Sequence, residues 1–141
     1  MAWTASAIFQ QYVSDMIGNV AALDYDADTI NVALYNDAIT PDKTVTAANS
    51  AYNAGQWAIA NEQTSSTDWP AGGQALATKT NTASGANATL TVYGCLVYDG
   101  TIATPVADQG LCYNWFGGVQ SVTGGTLTVV WSPSGIMSFA V

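Results

Sequence analysis

The chain has 141 residues, 49% of them apolar and only 9% charged, with ten acids against two lysines, no histidine and a net charge of −8. That apolar content excludes a disordered chain, and the length is that of one domain, residues 1–141. So few cations exclude a nucleic-acid binder that neutralises phosphates and a protein held to an anionic membrane surface.

The first element in chain order is "AIFQQYVSDMIGNV", where Phe9, Tyr12, Val13, Met16, Ile17 and Val20 recur at three- and four-residue steps. This spacing predicts an amphipathic helix over about 4–20, with Thr4 or Ser6 as caps and Gly18 near its end. The β domain is expected over about 28–141. Ile30, Val32 and Leu34 alternate with Asn31, Ala33 and Tyr35, which predicts a strand over 28–36. From Thr40 to Gly73 the pattern dissolves into Pro, Asn, Ser, Gly and Thr, with one short helix expected around Thr46–Tyr52. Strand patterns return at 74–82, 88–98, 111–116, 119–123, 126–132 and 136–141. Gly124-Gly125 is expected to supply the two left-handed positions of a tight hairpin, with Val122 facing Leu127. Met137, Phe139 and Val141 then make the last segment a core strand. The predicted fold is mainly β, a small antiparallel sandwich or barrel behind an N-terminal amphipathic helix.

Chemistry is excluded by what is missing. Without histidine, Ser-His-Asp and Cys-His nucleophiles and most zinc sites are ruled out. No glycine-rich loop leads into Lys-Ser or Lys-Thr, so there is no phosphate cradle. The acidic cluster Asp24, Asp26 and Asp28 fails as a calcium loop, since Thr29 and Tyr35 stand where glycine and glutamate are needed. It reads as a solvated turn entering a strand. Glu62, Asp68, Asp99 and Asp108 lie in loops, and no spacing singles out a catalytic pair. The expectation is a non-enzyme without cofactor or metal.

Apolar runs fall short of the ~20 residues of a membrane helix. The N-terminus lacks the basic flank and apolar stretch of a secretory signal, so the chain is expected to be made in the cytoplasm and used without export through a signal-peptide route. Cys95 and Cys112 are expected to lie opposite each other, on strands pairing symmetrically about a loop centred between Ala103 and Thr104. The competing register turns tightly at Asp99-Gly100 and places Thr104 opposite Cys95. The redox state of the two thiols is left open. The five tryptophans and seven tyrosines are a surplus. Tyr52, Trp57 and Trp69 sit in the irregular stretch, where they serve either as a contact surface or as caps on the open ends of the β domain. The contact reading predicts self-association as a homotrimer.

Five segments occur in a telling order: "DTINVALYND", "WPAGGQAL", "YGCLVYDG", "NWFGGVQSVTGGTLTVVW" and "SGIMSFAV". Together with the N-terminal helix they resemble a family of small tailed-phage virion proteins. That family carries a DTIKVAL-like strand, an AGG turn, a YD-ended strand, an FGGxQSV hairpin and a terminal GIxxF strand. The resemblance spans most of the chain apart from 40–67. Trp69-Pro70 replaces the family's Gly-Tyr, and Leu127 replaces its Phe. It implies a capsid decoration or minor capsid protein on the particle exterior, bound to the major capsid protein. A neck or tail-tube component is the alternative within virions. Exposed tryptophan on Gly-rich β structure suggests a carbohydrate-binding module as the rival from another class.

Overall fold

A computed structural model describes residues 3–20, 24, 27–65, 68–76, 82–132 and 136, with 82–86 described through the backbone. The chain is mainly β. The elements are β1 (Ala7–Ile8), α1 (Gln10–Ile17), β2 (Ile30–Tyr35), α2 (Ala47–Ser50), β3 (Gln74–Ala75), β4 (Thr82–Asp99) and β5 (Gly110–Val130). Two 3-10 turns, Gly55–Trp57 and Ile59–Asn61, follow α2. The described strands form a single antiparallel sheet in the order β1-β5-β4-β2-β3. Neither a second sheet nor closure into a barrel occurs among them.

α1 is shorter than its periodicity predicts. Ala7 and Ile8 pair with Tyr113 and Cys112 on β5, and the Phe9 N–H donates to the Leu111 carbonyl. The sheet therefore takes the first residues of the predicted helix. Phe9 is the N-cap and makes no side-chain cap bond, while the Ser6 hydroxyl accepts from the Trp115 N–H at 2.9 Å. Gly18 closes the helix, donating to the Ser14 carbonyl at 2.8 Å. Phe9, Tyr12 and Asp15 face inward, whereas Ile17 and Val20 are exposed. Asp15 accepts from Gln11 and from Gln109 (2.7 and 2.8 Å), which ties the helix to the loop before β5. α2 lies within the predicted stretch, and the Thr46 side chain accepts from the Asn49 N–H as an N-cap should.

The largest difference from the sequence reading is β5. The three short strands expected over 111–132 are one strand, paired with β4 from Thr82↔Val130 to Tyr98↔Gly110. Gly124-Gly125 is not a hairpin turn: Gly125 pairs with Ala88, Val122 with Leu90, and Leu127 with Gly85. Only Gly124 of the pair has positive φ (+58°), whereas a type I′ turn needs both central residues there. The glycines instead sit at register shifts, which bend a strand and raise its twist. A larger bulge lies at Gly117-Gly118, both with positive φ; β5 there passes from Trp115 to Gln120 while β4 passes only from Gly94 to Val92. Of the predicted strand over 74–82, β3 holds Gln74–Ala75, Thr82 begins β4 and residues 77–81 lie outside the described ones; the final strand also lies outside them, except that Ile136 packs against the core.

The loop joining β4 to β5 is the long one, so Asp99-Gly100 is no hairpin. The cysteines are nonetheless not opposed. Cys95 faces Asn114, and Cys112 faces Val97 on one side and Ile8 on the other. The register is already one residue off where the strands leave the loop, at Tyr98↔Gly110, and the bulge at Val97/Tyr98 adds a second, leaving the two as diagonal neighbours, typically ~7–8 Å apart between Cα atoms. Both thiols are free and buried. Burial pushes both thiols up, Cys112 to about 12, so neither is a reactive thiolate near neutrality.

Candidate functional site

The three aromatic residues singled out from the sequence do not form an exposed surface. Trp57 is 1% exposed and Trp69 0%. Trp57 is carried inward by its 3-10 turn into a ring cluster with Trp3, Phe9, Tyr35 and Tyr113, at centroid distances of 5.9, 6.0, 5.1 and 5.8 Å. The Tyr35 hydroxyl donates to the Trp57 carbonyl at 2.8 Å. The irregular stretch lacks alternation because it wraps a face of the sheet, and its tryptophans are the plugs. The contact surface that motivated a trimer is thus interior.

Tyr52 is half-buried and belongs to a polar cluster. Its ring stacks on Tyr98 at 4.9 Å and 10°, and its hydroxyl donates to Glu62 Oε2 at 2.8 Å. Glu62 Oε1 accepts from the Gly72 N–H at 2.9 Å, and the Tyr98 hydroxyl donates to the Gly72 carbonyl at 2.7 Å. The carboxylate joins the segment after α2 to the one before β3, and the Tyr98 hydroxyl ties the latter to the end of β4. Burial raises the Glu62 pKa, against the lowering effect of its two donors. Tyr52 is pushed up to about 12, chiefly by burial and then by Glu62.

The acidic turn is built as a turn. Asp28 Oδ2 accepts from the Asp24 N–H (2.8 Å), and Asp24 Oδ1 accepts from the Ala27 N–H (3.1 Å). Asp26 lies outside the described residues. Asp99 is buried, and its Oδ1 accepts from the Thr101 and Ile102 N–H groups. Burial raises its pKa despite those donors, and Asp28 nearby adds to the rise. Among the described residues, no three potential metal ligands converge.

These shifts set a pH dependence. Glu62, Asp99 and Asp108 all bind their protons more tightly in the folded chain. The stabilisation each gives is complete below the unfolded carboxyl pKa, about 4, and is lost as pH rises through the raised folded value. Asp42, exposed and held low by Thr44, works in the opposite sense but in full solvent. The melting temperature is expected to fall between about pH 4 and neutrality, and Glu62→Gln to flatten that slope. Calorimetry showing a rise across this window would contradict the assignment.

The accessible aromatics lie elsewhere, in a segment whose residue pattern reads as plain strand. Trp115, Phe116 and Trp131 are half-buried, and Val119 and Val130 are 51% and 68% exposed. Asn114–Phe116 and Leu127–Ser132 line the same groove of about 470 Å³, although the ten residues 117–126 of β5 separate them. β5 therefore curls back over itself between these ends, through the bulges at Gly117-Gly118 and Gly124. Past Trp115, no described strand pairs with the outer edge of β5 as far as Leu127. The edge of β4 is met by the loop before β3, where the Thr89 N–H donates to the Ser65 hydroxyl at 2.9 Å. No residue of β5 is charged, and in β4 only its last, Asp99, is. The sequence signal for this surface was available: two Gly-Gly steps within a charge-free run rich in tryptophan.

No family model, curated protein or solved structure matches the chain. None of its described helices is long and apolar enough to cross a membrane.

Proposed function

We propose that the protein is a non-enzymatic structural component of a tailed-phage particle, a capsid decoration protein that binds the outer face of the shell through the major capsid protein. The observation that carries this reading is where the motifs of the resemblance fall. "DTINVALYND" contains β2, "WPAGGQAL" the turn into β3, "YGCLVYD" the buried end of β4, and "FGGVQSVTGG" the bulged part of β5. Each of these segments makes scaffold: paired strand, left-handed turn or bulge. A chain whose motifs all make scaffold suits a protein that works by shape and contact.

Charge placement supports the same reading. The acids lie between Asp15 and Asp68 and in the Asp99–Asp108 loop, leaving β5 neutral. A neutral strand edge docks on a shell without desolvating carboxylates, while exposed acids such as Asp24 and Asp42 stay in solvent and repel non-specific contacts. Binding to the assembled shell would stabilise it by mass action. Cryo-microscopy of the particle tests the proposal, which expects density for this domain at symmetry-related sites on the outer shell. Density confined to the neck or tail tube, or none on the particle, would overturn it.

A further inference from the structure

We propose that the groove between the two ends of β5 is a binding site for a neutral oligosaccharide. The proposal is independent of the virion reading, because it concerns what the isolated chain binds.

Three observations carry it. The groove's volume of about 470 Å³ lies within the roughly 300–1,000 Å³ of small-ligand clefts. Its walls combine the rings of Trp115, Phe116 and Trp131 with the amides of Asn114 and Gln120 and the hydroxyl of Ser6. Sugar rings present C–H faces that lie on aromatic surfaces, and a rim of hydroxyls that amides and hydroxyls satisfy as both donors and acceptors. The Asn114 amide donates to Cys112 Sγ at 3.7 Å, and the Gln120 amide is exposed; an apolar peptide offers Gln120 no hydrogen bond, whereas a sugar hydroxyl does.

The third observation is charge. No lining residue is ionisable, on a chain of net charge −8 with two lysines. Phosphorylated, sulfated or sialylated ligands would find no cation to pair with and a repulsive field around them. A cationic ligand would find no carboxylate in the groove. The chemistry that remains is neutral and polyhydroxylated.

The groove owes its shape to the backbone. Gly117 and Gly118 have φ of +80° and +154°, and a Cβ at either would meet nothing within 4 Å. Left-handed conformation rather than crowding requires glycine there, and the bulge it permits turns Trp115 and Phe116 toward the far end of the strand.

The test titrates the full chain with maltotetraose, cellotetraose and tetra-N-acetylchitotetraose, and with tetragalacturonate as a charged control, by calorimetry and tryptophan fluorescence. At least one neutral tetrasaccharide is expected to bind saturably, and the galacturonate not at all. Trp131→Ala should weaken that binding at least tenfold. Gln120→Ala, at an exposed position whose loss leaves the core intact, should weaken it severalfold with an unchanged melting temperature. Absence of binding by all three neutral probes, binding of the charged control with equal strength, or binding indifferent to both variants would each overturn the proposal. So would a dimer, detected by light scattering, that Trp131→Ala dissociates without any saccharide response, since the groove would then belong to a second copy.

Discussion

Trp57→Ala is expected to destabilise the domain by about 3–5 kcal/mol, the range for removing a large aromatic from a core that cannot collapse around the gap. The gap would be lined by Trp3, Phe9, Tyr35 and Tyr113, which come from the N-terminal segment, the start of α1, β2 and β5. Tyr35 and Tyr113 are fixed by sheet pairing, the Phe9 N–H is bonded to the Leu111 carbonyl and the Trp3 indole N–H to the Asn36 carbonyl, so none moves freely into the gap. Tyr35 would keep the Trp57 carbonyl as its acceptor only if the 3-10 turn holds its place without the ring that anchors it. Small domains have only about 5–15 kcal/mol in total, so much of the fold's margin would go. Urea denaturation followed by circular dichroism measures the loss. A shift below about 1 kcal/mol, at the level of an ordinary surface substitution, would return Trp57 to the surface role that its irregular surroundings first suggest.

The mainly β fold, β2 and the long loop before β5 were legible in the sequence because alternation and turn residues act locally. The misreadings have a common cause. Gly124-Gly125 has the local signature of a hairpin, and Ala7–Ile8 that of a helix start. In both places a partner distant in sequence takes the backbone instead: β4 for the first, β5 for the second. Pairing across a sheet is decided by what lies opposite, which no window of ten residues contains. The same limit hid the groove. Trp115 lies early in β5 and Trp131 just past its end, and only the bending of the strand between them brings both to one groove. Trp57 and Trp69 misled for the converse reason, since an irregular segment that wraps a sheet buries aromatics without any period.

The adjacent glycines of the Ala-Gly-Gly turn are expected to respond very differently to alanine. Both have left-handed backbone, with φ of +87° at Gly72 and +76° at Gly73. Conformation alone would therefore penalise them alike, by about 1 kcal/mol or a little more. Their surroundings differ. A Cβ on Gly72 would meet only the Tyr98 hydroxyl, at 3.3 Å, and a side-chain oxygen can yield by a few tenths of an ångström. A Cβ on Gly73 would be driven into the Val32 carbonyl and would stand 2.8 Å from the Ala33 Cα, both backbone atoms of β2. β2 cannot retreat, because Val32 and Ala33 are paired with Val97 and Leu96 on β4. The turn must move instead, breaking the Val32↔Gln74 pairing with β3 and the bond from the Leu76 N–H to the Ile30 carbonyl. The Gly72 N–H would shift with it, away from Glu62, leaving a buried carboxylate short of a donor. Gly73→Ala is thus expected to cost more than about 3 kcal/mol, against about 1 for Gly72→Ala, in parallel urea titrations. Equal losses at the two positions would show that close approach to β2 is not what the second glycine provides.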